Sequence, residues 1–336
     1  MIENFKVAKI EGIDSLRFFA FLMVFLFHSS DLFYFGFLGV DFFFVLSSFL
    51  LTFLALKEMN SFGSFSKKNF FMRRVLRIFP LYYLILFFSF ILLPLVAQFI
   101  KLEISLPENQ YLFWIFLSNF DDSAYLLPLK FLWSIAVEEQ FYLLFLFLSI
   151  YFRNNIWHVI GGLLLIYLLY YYANEFYGWA HYKNLFYHFP NFAIGMAGGW
   201  VFYNKKYSMV GILILLSLTS IFLAYIDPAS MIFNINLSLW FVSIIFATHQ
   251  FSVKTGNYKV LKIFNFLGQY TYGLYLYSGF VIIIFNTFQV FEQFLLQTLL
   301  ELLCIFIISF TSYHLFEKRF LSLKENFRQP AAIRNK

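Results

Sequence analysis

Gly36-Phe-Leu-Gly-Val-Asp-Phe-Phe-Phe-Val-Leu-Ser-Ser-Phe-Leu-Leu-Thr-Phe-Leu-Ala-Leu56 carries one charged group, Asp41, in 21 residues. At 1.5 Å per residue a helix of this length measures about 31 Å, the thickness of a bilayer's hydrocarbon core. Nine further stretches read the same way: 17–34, 78–99, 131–152, 156–173, 186–203, 209–226, 231–248, 265–288 and 294–316. Of these, 156–173 is short, and 186–203 carries His188, Pro190 and three glycines. The first span lacks a small-x-small cleavage site and leads into the second, so it is not a signal peptide. Of all 336 residues, 61% are hydrophobic, 24% aromatic and only 12% charged. That charged share is about half that of a soluble domain. A water-soluble enzyme and a disordered chain are both excluded. The expected fold is all-α, a polytopic integral membrane bundle of about ten transmembrane helices.

The basic residues set the expected orientation. If the N-terminus is cytoplasmic, 21 of the 24 Lys and Arg fall on the cytoplasmic side, and only Lys101, Lys130 and Lys183 lie outside. This asymmetry follows the positive-inside rule and predicts that both termini are cytoplasmic. It also accounts for the net charge of +6 without nucleic acid. The longest hydrophilic stretches are 57–77, 100–130 and the basic tail 317–336. None is long enough for a core of its own, so residues 1–336 are expected to form a single transmembrane domain. Within 100–130, Tyr111-Leu-Phe-Trp-Ile-Phe-Leu117 reads as an interfacial segment with aromatic anchors. No internal repeat of the transporter kind is present.

Ionisable groups inside spans are costly and mark candidate sites. Depth counted along each helix puts His28 about 16 Å into the first span, Asp41 about 8 Å below Gly36, and Glu138 and Glu139 about 10 Å below Phe131. All four then fall in one layer of the outer half and form a general acid/base set. Glu138 and Glu139 point about 100° apart, so one faces the site while the other secures a neighbouring helix. Taken singly, His28 also reads as an interhelical hydrogen-bond partner and Asp41 as a helix N-terminal acid. On the cytoplasmic side, Arg74 and Arg77 share a helix face and, with Arg17, suit an anion site; lipid anchoring is the plainer alternative. Neither a G-x-S-x-G elbow, a P-loop, a G-x-G-x-x-G nor an H-E-x-x-H is present. His181 and His188 have no carboxylate at ligand spacing, so no metal site is expected. The single Cys304 reads as a packed thiol.

Six segments, in order, resemble the membrane acyltransferase-3 family of O-acyltransferases. They are Ile13-Asp-Ser-Leu-Arg17 through His28, Leu38-Gly-Val-Asp-Phe-Phe-Phe-Val-Leu-Ser47, Arg73-Arg-Val-Leu-Arg-Ile-Phe-Pro80, Trp133-Ser-Ile-Ala-Val-Glu-Glu-Gln-Phe-Tyr142, Gly268-Gln-Tyr-Thr-Tyr-Gly-Leu-Tyr-Leu-Tyr-Ser278 and Phe316-Glu-Lys-Arg-Phe320. Three positions depart from the pattern: Ser278 stands where many members have histidine, Arg319 where proline is usual, and Ser48 where glycine is common. The resemblance implies transfer of a short acyl group, most often acetyl, from cytoplasmic acyl-CoA to a hydroxyl of a surface polysaccharide, lipopolysaccharide, peptidoglycan or related acceptor. Acyl-CoA is then a co-substrate, and no permanently bound cofactor is implied.

On that footing Arg17, Arg74 and Arg77 hold the CoA phosphates. His28 acts as general base or transient acyl carrier, with Glu138, Glu139 and Asp41 completing the catalytic set. Trp133, Ser278 and Tyr142 fall on the acceptor side. Some members carry an additional extracytoplasmic hydrolase-like domain. With about twenty residues after the last span, this chain is expected to lack it, leaving transfer to the membrane part or to envelope-synthesis partners. The expected location is the cytoplasmic (inner) membrane of a cell. Two other readings fit buried acid/base groups: a transporter or flippase for a glycan or lipid precursor, and an inactive scaffold.

Overall fold

The computed structural model describes residues 10–30, 33–101, 103–123, 126–177, 182–205, 211, 218, 230–254, 259–288 and 293–327. Among them the chain is helical, without strands. The principal helices are α1 (Ile13–Ser29), α2 (Leu38–Phe62), α3 (Lys67–Phe87), α4 (Leu132–Leu148), α5 (Phe152–Tyr177), α6 (Phe189–Tyr203), α7 (Met231–Lys254), α8 (Lys259–Gly268), α9 (Thr271–Thr287) and α10 (Phe294–Ser312). Six helical stretches are long and apolar enough to cross a membrane: Tyr34–Phe62, Lys67–Phe99, Leu127–Tyr151, Asn154–Asn174, Met231–Val253 and Leu295–Phe327. Their outward side chains are apolar: Phe147 is 70% exposed and Leu169 62%. Such a girdle suits lipid, so this is a multi-pass membrane protein. Helices α1, α6 and α9 are shorter, at 17, 15 and 17 residues. Apart from residues 211 and 218, the expected span 209–226 lies outside the described residues, as do His181 and the tail beyond residue 327.

Two boundaries differ from the sequence reading for physical reasons. The stretch 57–77 is helical at both ends, because α2 runs on to Phe62 and α3 begins at Lys67. Gly63 ends α2 in the left-handed region at φ +77°, where a side chain is strained, and the Ser66 hydroxyl caps α3 by accepting from the Asn69 N–H. Arg73, Arg74 and Arg77 therefore ride on a helix entering the membrane. Arg73 is held there by Glu58, at 3.2 Å. The stretch 265–288 is split at Gln269-Tyr270, between α8 and α9. Gly268 allows the break to lie against α1, since a Cβ there would meet the Asp14 carbonyl oxygen at 1.8 Å.

The interfacial segment 111–117 folds back onto α3. Tyr82 donates to the Phe113 carbonyl at 2.7 Å, and Tyr83 to that of Trp114 at 3.0 Å.

Helices α2 and α6 make the most extensive seam described. A Cβ on Gly195 would sit 1.9 Å from Ser48 Oγ and 2.6 Å from the Val45 carbonyl oxygen, and one on Gly199 2.4 Å from the Phe49 carbonyl oxygen. This small-xxx-small spacing lets backbones touch where no hydrophobic drive exists between helices. Ser48, at the position of the family's usual glycine, fits only because Gly195 faces it. Gly195→Val is expected to cost about 1–3 kcal/mol by overpacking. The check is the apparent Tm of the detergent-solubilised protein; an unchanged Tm contradicts the close approach.

Candidate active site

One face of α4 carries the site. Phe131, just before the helix, and Ser134, Glu138 and Tyr142 recur at three- and four-residue steps and so project the same way. Near the Tyr142 end, Arg17, Arg74, Arg77, Ser47, Glu138, Tyr142 and Tyr272 line a cavity of about 90 Å³. The Glu138 carboxylate accepts hydrogen bonds from both the Ser47 and the Tyr142 hydroxyls. The Arg74 guanidinium lies over the Tyr142 ring at 5.0 Å and the Phe70 ring at 5.6 Å, a cation–π cradle. Arg17 is 3.6 Å from Asp14, one turn earlier on α1. Three cations thus converge on one polar pocket from α1 and α3.

Towards the Phe131 end, His28, Phe27, Lys130, Phe131, Trp133, Tyr182 and Lys183 line a second cavity of about 400 Å³. The His28 ring packs on Phe131 at 4.5 Å and Phe27 at 4.9 Å. Trp133 lies 5.3 Å from Tyr182 and stacks on His188 at 5.8 Å. Val40 and Tyr275 line both cavities, so the two are neighbours across a shared wall.

Asp41 faces neither cavity. It is 3% exposed and accepts from Tyr182 O–H at 2.8 Å and Asn191 Nδ2 at 2.7 Å, with His188 Nδ1 at 3.1 Å. His188 Nε2 lies 2.6 Å from the Tyr182 carbonyl, which can only accept, so Nε2 carries a proton. Ser238 O–H donates to Asn191 Oδ1 at 2.6 Å, extending the network to α7. Burial first, then the charge of Asp41, pushes the Tyr182 phenol well above its ordinary range, so it remains a donor. The network pins Tyr182 and His188 behind Trp133.

The single layer expected from depth is therefore divided. His28 lines the larger cavity, Glu138 the arginine pocket, and Asp41 the network beside them. Glu139 is buried away from both cavity linings, and its Oε1 has no hydrogen-bond partner among the described residues. No hydrogen bond joins His28 to either glutamate among those residues. Depth along a helix says nothing about rotation around it, and at about 100° per residue rotation decides which cavity a side chain enters. Of the three acceptor-side residues, Trp133 shares the His28 cavity and Tyr142 sits in the arginine pocket. Ser278 lines neither cavity; it is fully buried and donates to the Tyr275 carbonyl at 2.7 Å.

The sequence assigns no site role to His188, Asn191, Tyr182 or Tyr275. The carboxylate beside His188 belongs to Asp41, 147 positions away, which no local spacing signals.

A multi-pass helical membrane protein with a triple-arginine pocket abutting a histidine-lined cavity is the class that fold and site define. A sequence model of the family described as an acyltransferase domain (Acyl_transf_3) matches residues 10–313, and the chain belongs to that family. It is 37% identical over 142 residues to O-acetyltransferase OatA of Staphylococcus aureus (strain NCTC 8325 / PS 47), covering 40% of this chain and 24% of OatA. It is 36% identical over 144 residues to "Putative peptidoglycan O-acetyltransferase YrhL" of Bacillus subtilis (strain 168), covering 40% of this chain and 23% of that protein. The matches thus span about a quarter of the length of these curated relatives. No solved structure matches.

Proposed function

We propose that the chain is a membrane O-acyltransferase, moving an acetyl or similar short acyl group from acyl-CoA to a hydroxyl of a cell-surface glycan. The observation that carries this reading is the pairing of two cavities: an arginine pocket suited to an anion, and beside it a His28 cavity walled by aromatic side chains. Arg17, Arg74 and Arg77 would take the phosphates, since guanidinium groups bind phosphate through paired hydrogen bonds.

In the reaction His28 takes the proton of the acceptor hydroxyl. The oxygen attacks the thioester carbon, the C–S bond breaks, and the CoA thiolate leaves and is protonated. Glu138 acts as a positioning residue, holding Ser47 and Tyr142, and with Tyr142 the Arg74 guanidinium. Trp133 offers a saccharide ring a flat face. The excess of Lys and Arg in alternate connections supports an orientation with the arginine pocket and both termini cytoplasmic. The His28 cavity then faces the acceptor outside, and the helices work as one domain. The names of the relatives support a peptidoglycan or related glycan as acceptor.

Arg74→Gln and Arg77→Gln test the donor side. Each is expected to raise KM for acetyl-CoA about 10- to 100-fold, the worth of a charge-assisted hydrogen bond, with less effect on kcat. An unchanged KM contradicts the assignment.

A further inference from the structure

We propose that Tyr275, together with Val40, is the gate between the arginine pocket and the His28 cavity, keeping water from the acyl group until an acceptor hydroxyl is in place. The inference rests on the acyltransferase reading and adds to it a residue that controls coupling.

Val40 and Tyr275 are the two described residues that line both cavities. The Tyr275 hydroxyl is 2.7 Å from Ser134 Oγ and donates to the Phe131 carbonyl at 3.3 Å, so the phenol is latched onto α4 from α9. Its ring stands perpendicular to Phe131 at 5.2 Å, and Phe131 is the ring on which His28 rests. On the arginine side Phe43 packs edge-on at 6.0 Å. Tyr275 is 7% exposed, so in this position it fills the wall between the cavities.

The chemistry requires a wall there. A thioester exposed to water loses its acyl group: water attacks the carbonyl carbon, the C–S bond breaks, and acetate and CoA thiol are released. A donor pocket connected to a water-filled acceptor cavity would waste acyl-CoA in this way. Yet the acyl group must pass this point to meet His28. A neutral hydroxyl pair is a weak enough latch to open when substrate binds.

The test uses purified protein in detergent with labelled acetyl-CoA and the glycan fraction of the native envelope. CoA thiol released and label in glycan are measured together. In wild type the two are expected to be equal. Tyr275→Ala is expected to raise thiol released per acylated glycan about tenfold by opening the wall. Tyr275→Phe keeps the ring but removes both latch bonds and should raise the ratio about fivefold, whereas Ser134→Ala leaves the bond to the Phe131 carbonyl and should raise it about twofold. The double variant should add nothing beyond Tyr275→Phe, which already lacks both bonds. If Tyr275→Ala does not fold, the latch variants decide. A wild-type ratio in the latch variants, even with turnover reduced, overturns the gate, because loss of packing lowers both products together. No labelled glycan with wild type overturns the acyltransferase reading instead.

Discussion

His28→Ala is expected to lower acyl transfer about 10²- to 10⁴-fold, the range for loss of a general base, while KM for acyl-CoA is expected to stay within a few-fold of wild type. The split follows from the geometry. His28 lines the cavity of about 400 Å³, whereas Arg17, Arg74 and Arg77 line the other. Other groups in the His28 cavity are poorly suited to be the base. Asp122 is 3.7 Å from Lys183, and its side chain is 60% exposed. Tyr182 is held as a donor to Asp41. The imidazole rests on Phe131, next to the wall through which the acyl group must come. Steady-state kinetics with acetyl-CoA as the varied substrate check this. Equal rates for variant and wild type remove His28 from the chemistry; a loss confined to KM moves it to donor binding.

The second large effect is on stability. Asp41→Ala leaves the Tyr182 hydroxyl and the Asn191 amide buried without their shared acceptor. Removing one partner from a buried, hydrogen-bonded pair costs about 3–5 kcal/mol, because the groups left behind keep their desolvation penalty. Asp41→Asn keeps one carbonyl acceptor and should cost less. Denaturant unfolding of the micellar protein measures both. The same change should raise KM for the acceptor, since His188 and Tyr182 back the Trp133 ring. Wild-type stability in Asp41→Ala would show that the network contributes nothing, and would reopen Asp41 as a participant in the chemistry.

Much of the fold is legible because lipid imposes a length and a composition. The apolar stretch 36–56 overlaps α2, and 231–248 overlaps α7. Hydropathy alone starts this span at 78, because Lys67 to Arg77 is too charged to count, whereas the spacing of Arg74 and Arg77 already marks a helix entering the bilayer, as α3 does. The break at Gln269-Tyr270 is hidden for the opposite reason: one glutamine among apolar and aromatic neighbours does not end a span by composition, and tertiary contact at Gly268 decides it.

The site divides along the same line. Arg74 and Arg77 stand three apart, and that spacing alone sets them on one face. The adjacency of Glu138 and Glu139 likewise requires that they part, and Glu138 is the one lining the arginine pocket. Partnerships between helices carry no local signature. Asp41 with His188, and Tyr275 with Ser134, arise from which faces meet, and depth arithmetic has no access to rotation.

The central claim is group transfer rather than transport, and chemistry without a membrane gradient tests it most directly. Purified protein in detergent micelles is given labelled acetyl-CoA and native envelope glycan, and CoA thiol and labelled saccharide are followed over time. Label is expected to enter saccharide as thiol appears, and both are expected to stop with His28→Ala. Intact acetyl-CoA in that assay, together with movement of a labelled glycan precursor across proteoliposomes containing the same protein, would contradict it.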